Sequence, residues 1–200
     1  MQEIIWATPL YQFLRQCNAS PLPKIVLDCG AGGSSPPLAL FYRYGYQTFG
    51  VEIAGEALEE ARVFCDENRT PLNIIGGDMR HIPFPDRTFS FVYSYNAIFF
   101  MTKPDIERAM REIERVLKPD GLCYVNFVSV DEPDQGPFCE TAPARYRLKS
   151  ERFAQHQDDE ADAYYRNFEV LLKQKRLLEK VHGDKKIEQA YIEYIARKKT

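Results

Sequence analysis

Lys24-Ile25-Val26-Leu27-Asp28-Cys29-Gly30-Ala31-Gly32-Gly33-Ser34 is an apolar run that stops at an acid and opens into glycines. A short apolar run bounded in this way reads as a strand buried on both faces, the kind found in parallel sheets. Gly30 and Gly32 carry no side chain to keep a ligand from the backbone, and they permit positive φ. A loop between a strand and a helix is where a nucleotide-like ligand meets backbone amides in doubly wound folds. The simpler reading of the same glycines is a tight turn that serves only packing.

Working outward, the pattern repeats. Ser35 is placed to cap a helix, Pro36 takes its first position and Gly45 ends it. Residues 48–53 read as a second strand, and residues 55–69 as a helix with Ala57, Leu58, Ala61, Phe64 and Cys65 on one face. Residues 72–78 and 89–96 are the third and fourth strands. Thr102 with Asp105 suggests a capping-box-like start for a helix running to Lys118, its stripe formed by Ile106, Ala109, Met110, Ile113, Val116 and Leu117. Pro119-Asp120-Gly121 then turns into a fifth strand, residues 122–130.

Beyond it, Pro133, Gly136, Pro137 and Pro143 predict a loop over 131–150, followed by a helix over 151–167. For 168–180 and 187–198 local pattern does not separate strand from helix, and strands are favoured. Ahead of the core, Ile4, Ile5, Leu10, Tyr11, Phe13 and Leu14 fall at near-helical spacing, with Pro21 and Pro23 closing the segment. Alternating strands and helices imply a parallel sheet covered on both faces. The expectation is one α/β domain over 1–200. Residues 1–23 form a helical cap, 24–130 a ligand-binding core, and 131–200 a lid or loop, a helix and the final two strands.

Composition excludes several classes. Hydrophobic residues at 44% and charged residues at 28% describe a globular chain, and a net charge of -3 argues against a nucleic-acid footprint. Five cysteines without a C-x-x-C pair or metal-ligand spacing fit a reducing cytosol and predict no metal site. No signal peptide or membrane span is read, so the expected location is cytoplasmic.

Two carboxylates join the glycine loop. Glu52 ends the second strand 22 residues after Gly30, where an acid can accept hydrogen bonds from both hydroxyls of a ribose. Asp78 ends the third strand, where it can accept from an adenine amino group while Met79 offers a soft apolar contact. Read singly, these are a solvated strand-end acid and a turn residue. Together, three consecutive strand ends each present a feature suited to an adenosine.

Two further segments carry a resemblance: Asp78-Met79-Arg80-His81-Ile82-Pro83-Phe84-Pro85-Asp86-Arg87-Thr88-Phe89-Ser90-Phe91-Val92 and Glu112-Ile113-Glu114-Arg115-Val116-Leu117-Lys118-Pro119-Asp120-Gly121. Over roughly residues 24–130 the chain resembles the class I S-adenosylmethionine-dependent methyltransferases, in particular the small-molecule, methyltransferase type 11-like branch. The resemblance implies a Rossmann-like, doubly wound, mostly parallel seven-stranded sheet. An antiparallel strand lies near its C-terminus, and helices cover both faces. It also implies S-adenosylmethionine as cofactor, held by Asp28, Gly30, Ala31 and Gly32 in the methionine loop, Glu52 and Ile53 at the ribose, Asp78 and Met79 at the adenine, and Ser94 near the amino-acid moiety or methyl. Ser34 stands where the family has a third glycine, and Ser90 where it has an Asp.

The family's reaction is an in-line displacement at a sulfonium methyl, so the protein's task is alignment in a water-poor pocket. Tyr95 and Asn96 are candidates for the acceptor side. His81 is the candidate base, against the simpler reading of a surface loop histidine. A small-molecule acceptor is favoured over nucleic acid, with a membrane not implied and the oligomeric state open. The alternatives are an NAD-linked oxidoreductase, for which Ser35 falls where the last glycine of G-x-G-x-x-G belongs, and a non-catalytic S-adenosylmethionine-binding protein.

Overall fold

The computed structural model describes residues 9–132, 154–182 and 185–200. The expected cap residues Ile4 and Ile5, and most of the loop expected over 131–150, lie outside them. Among the described residues the helices are α1 (Pro9–Ala19), α2 (Leu38–Arg43), α3 (Gly55–Asn68) and α4 (Lys103–Val116). The strands are β1 (Ile25–Cys29), β2 (Gln47–Glu52), β3 (Ile74–Gly76), β4 (Phe89–Ser94), β5 (Leu117–Ser129), β6 (Gln155–His156), β7 (Phe168–His182) and β8 (Lys185–Lys198). No helix among these residues is long and apolar enough to cross a membrane.

The sheet runs β3-β2-β1-β4-β5-β8-β7, with β6 attached to β5. Pairs from β3 through β5 are parallel, while β8 is antiparallel to both β5 and β7. This is the expected doubly wound sheet with its late antiparallel strand. It has eight strands rather than seven because the two residues of β6 pair with Val128 and Ser129 of β5.

Each face of the sheet buries a core. On one, Phe13 and Leu14 of α1 and Phe41 of α2 pack on Val26, Phe91, Tyr93 and Tyr124. On the other, the α4 stripe of Ile106, Ala109, Met110, Ile113 and Val116 covers Leu27, Cys29, Val92 and Val125. α4 starts as read, with the Thr102 hydroxyl accepting the Asp105 N–H and Pro104 in the first turn.

Three local expectations are corrected. α2 begins at Leu38 after Pro37, with no side-chain cap; Ser35 lies outside it because two successive prolines carry the chain past it. Residues 151–167 hold no α-helix among the described positions: β6 and a 3-10 turn over Glu160–Tyr165 occupy them. There Gln155 and His156 find backbone partners on β5 that a local pattern does not reveal. Residues 119–121 do not separate two elements; they form an irregularity inside β5, with Asp120 at φ 60 and the register shifting between Phe89 and Phe91.

The Glu112–Arg115 segment has a structural task. Arg115 donates to the carbonyls of Ile82 and Phe84, each at 2.9 Å, and ion-pairs with Glu112 and Asp86 at 2.8 Å. Glu112 accepts the Ile82 N–H at 2.8 Å, and the Arg115 guanidinium holds its carboxyl below the usual range. α4 thereby clasps residues 82–86. Arg115→Ala leaves a largely buried carboxylate and two carbonyls without their partner, and is expected to cost about 3 kcal/mol. Denaturant melts check this, and Arg115→Lys, lacking the planar fork, recovers only part of the loss.

Candidate active site

The parallel register aligns the carboxyl ends of β1, β2 and β4 at one rim. Gly30 turns off β1 at φ 98, its N–H donating to the Val51 carbonyl at 2.9 Å. A Cβ at Gly30 would stand 2.3 Å from Ala97 Cβ and 3.6 Å from Met79 Cε, so the loops after β1, β3 and β4 converge on this residue. A Cβ at Gly32 would stand 2.6 Å from Ala57 Cβ and 2.7 Å from the Glu52 carboxylate. Both glycines are thus required by close approach.

Glu52, the last residue of β2, is nearly buried. Its Oε2 accepts the Gly32 N–H at 3.0 Å and its Oε1 the Ala54 N–H at 2.8 Å, bracing the glycine loop against the entry to α3. Each oxygen keeps a second lone pair for a ligand hydroxyl. The Glu52 carbonyl accepts the Gly77 N–H at 3.0 Å, which brings the segment holding Asp78 to the same rim. Gly30, Glu52 and Asp78 therefore share one side of the molecule. Ile53 follows, 67% exposed, an apolar surface at the edge. Ala31 is buried against the sheet, and Ser34 is exposed; the positive φ of the loop's far side falls on Gly33, at 102°.

Asp78 lies two residues beyond the end of β3, in a turn closed by the His81 N–H donating to its carbonyl. Its carboxylate is engaged by Arg80, with Nη2–Oδ2 at 2.7 Å and Nε–Oδ1 at 3.0 Å. This guanidinium holds the Asp78 carboxyl below its ordinary range and also reaches Asp105 at 3.2 Å. Met79 is half-buried on the core, while His81 is exposed.

Ser94 is fully buried and donates to the Cys29 carbonyl at 2.9 Å, sewing β4 to β1. Tyr95 is half-buried with its ring 6.3 Å from that of Tyr124. Asn96 sits at φ 55 and is held by Asn126 of β5. The Asn96 N–H donates to Oδ1 at 2.8 Å, and the Asn126 amide donates back to Asn96 Oδ1 at 2.7 Å. Arg80 and Asn126 escaped the sequence reading. Arg80 was within reach as the residue two positions after an acid in a turn; Asn126 lies 30 residues from its partner inside an apolar strand.

Asp28 differs from the other acids. It is 1% exposed, and neither oxygen has a well-formed hydrogen bond. Tyr93, its register partner on β4, is close enough to affect its titration but not to satisfy it. Burial pushes the carboxyl up to about 8, Tyr93 opposes the rise, and the nearby Glu52 adds to it. An unsatisfied buried acid at the root of a glycine cradle fits a polar ligand group with hydrogen to donate. The residues present thus suit an adenosyl amino acid: a cradle in which Gly30 and Gly32 carry no Cβ, and acids beneath and beside it. No group of three or more His, Cys, Asp and Glu suited to a metal is found among the described residues. Two clefts, of about 320 and 370 Å³, are lined by none of the rim residues; Lys175 borders one and Tyr164 the other.

Comparison with known proteins adds four findings. A family described as a methyltransferase domain matches residues 27–125. The uncharacterized methyltransferase YcgJ of Bacillus subtilis (strain 168) is 35% identical over 110 residues, which are 54% of this chain and 42% of that protein. Sterol 24-C-methyltransferase of Pneumocystis carinii (strain B80) is 31% identical over 106 residues, 52% of this chain and 27% of that protein. The matches thus span less than half the length of these relatives. Among solved structures, the PH0226 protein from Pyrococcus horikoshii OT3 superposes with a TM-score of 0.69 at 21% identity, covering 96% of this chain and 88% of that one, a likeness of fold.

Proposed function

Since residues 27–125 of this chain belong to the methyltransferase-domain family, we propose that it transfers a methyl group from S-adenosylmethionine to a small-molecule acceptor. The cofactor, when bound, supplies a methyl activated on a sulfonium. The observation that carries the reading is the convergence of Gly30, Gly32, Glu52 and Asp78 on one rim above the unsatisfied Asp28. Gly30, Ala31 and Gly32 offer backbone to the amino-acid moiety, and Glu52 its free lone pairs to the ribose. Asp78 and Met79 face the base, with Ile53 as an exposed apolar wall. Ser94 supports the site by holding β4 on β1.

On the acceptor side, Tyr95 and Asn96 stand directly after β4, and the Asn96–Asn126 pair fixes the backbone there. A chain of net charge -3 suits a small molecule better than a polyanion. His81, exposed on the turn after Asp78, is the base to test if the accepting atom is a hydroxyl.

Calorimetry with S-adenosylmethionine, S-adenosylhomocysteine and NAD tests the cofactor. Heat with the first two and none with NAD is expected; the reverse overturns the proposal. Transfer of labelled methyl to an extract's metabolite pool tests catalysis. Asp78→Asn and Glu52→Gln are each expected to weaken cofactor binding about tenfold, since each loses a charge-assisted acceptor. Unchanged affinity in both would remove the acids from the site.

A further inference from the structure

Asp28 and Tyr93 stand side by side in the β1–β4 register, and neither the carboxyl oxygens nor the phenol has a well-formed hydrogen bond. Both are fully enclosed. The Tyr93 ring is stacked on Phe41 of α2, centroids 5.1 Å apart, and meets Phe13 of α1 edge-on at 6.2 Å. Its hydroxyl therefore cannot swing to solvent. The titratable groups that act on Asp28 are Tyr93 from β4 and Glu52 from β2; Cys29 follows it in the chain. α1 and α2 bring aromatic and aliphatic side chains and the buried Cys17 thiol to this face, and no cation is among the groups that set the titration of Asp28. Burial without a counter-charge or a well-formed hydrogen bond favours the neutral form of such an acid.

Resting on the methyltransferase reading, we propose that Tyr93 is a positioning residue acting through Asp28: the cationic amino group of the cofactor enters as the counter-charge, Asp28 releases its proton to solvent, and the Tyr93 hydroxyl donates to the carboxylate so formed. The proton balance is simple. A neutral acid and an ammonium become a carboxylate–ammonium pair plus one proton in solution. Tyr93 lowers the cost of that ionisation, as its opposing influence on the Asp28 carboxyl shows, against burial, which raises it. Cofactor affinity then rises with pH until Asp28 ionises unaided in the empty site. Tyr93 touches no ligand and works only by making the carboxylate available.

The test is titration calorimetry with S-adenosylmethionine at about pH 6.5, below the ordinary range of an α-amino group, in buffers of different ionisation heat. Wild type is expected to release about one proton per cofactor bound, since a group titrating near 8 is almost wholly protonated there. Tyr93→Phe keeps the ring and removes the hydroxyl. At neutral pH it is expected to bind about tenfold more weakly, and its affinity–pH profile to move up by about one unit, so that the deficit shrinks at alkaline pH. A purely structural Tyr93 would lower affinity by the same factor at every pH, and that result overturns the proposal. Asp28→Asn, which keeps the shape, is expected to abolish the proton release; release equal to wild type would overturn the assignment even if Tyr93→Phe fails to fold. Binding by wild type without proton release removes the coupling and leaves the cofactor reading intact. No binding at all removes both.

Discussion

Asp28→Asn is expected to make the cofactor-free protein more stable than wild type at pH 9 and no more stable at pH 5. The folded chain holds the Asp28 proton up to about pH 8, whereas the unfolded chain releases it near 3.8. Between those values the native state binds more protons than the unfolded state, so the contribution to stability is full below about 4 and is lost as pH rises towards 8. At about 1.4 kcal/mol per unit the whole window amounts to several kcal/mol, comparable to the net stability of an ordinary domain. No solvent screening reduces it, because the group is fully buried. Asparagine does not titrate and keeps the volume. Its stability–pH curve is therefore flatter, and the two curves cross. Urea melts at pH 5, 7 and 9 measure both; parallel curves would mean that Asp28 ionises normally in the fold. The same variant is expected to bind S-adenosylmethionine at least tenfold more weakly, having no charge to offer its amino group.

Gly30→Ala is expected to cost about 3 kcal/mol of stability and to weaken cofactor binding on the order of a hundredfold. Two effects combine. At φ 98 the residue occupies a conformation costly to any residue with a Cβ, worth about 1–2 kcal/mol. The added carbon also stands 2.3 Å from Ala97 Cβ, so the loops after β1 and β4 must part. Ala97→Gly removes the obstructing atom, leaving Ala97 Cα at 3.8 Å from the new carbon, an ordinary contact. The double variant is therefore expected to regain about half of the lost stability while keeping the backbone strain. Additive losses in this cycle would show that the two loops do not meet as described.

The regular elements were largely legible in the chain. β1 reads from its apolar run, α4 from its stripe and its Thr102 cap, and β7 and β8 emerged as the favoured strands even though local pattern was divided over them. Segments whose partner is distant were not. Residues 155–156 become a strand only because β5 offers them a backbone edge, and residues 119–121 bend within β5 because β4 continues alongside. The candidate site divides in the same way. Residue types and spacing picked out Gly30, Gly32, Glu52 and Asp78; the spacing put Arg80 within reach of Asp78, but only the side-chain geometry shows that it engages both carboxylate oxygens and that Glu52 braces Gly32.

What the sequence by itself determined, then, is the alternation of strands and helices and the placement of glycines and acids at strand ends, because periodicity, capping and φ preference act over a few residues. The tertiary structure alone decided what each polar group touches. Ser94 reaches Cys29 across 65 residues, Asn126 reaches Asn96 across 30, and Tyr93 stands beside Asp28. Those pairings follow from strand order and register, which are set by burial of both sheet faces at once, and a shift of one residue would turn every one of these side chains to the opposite face.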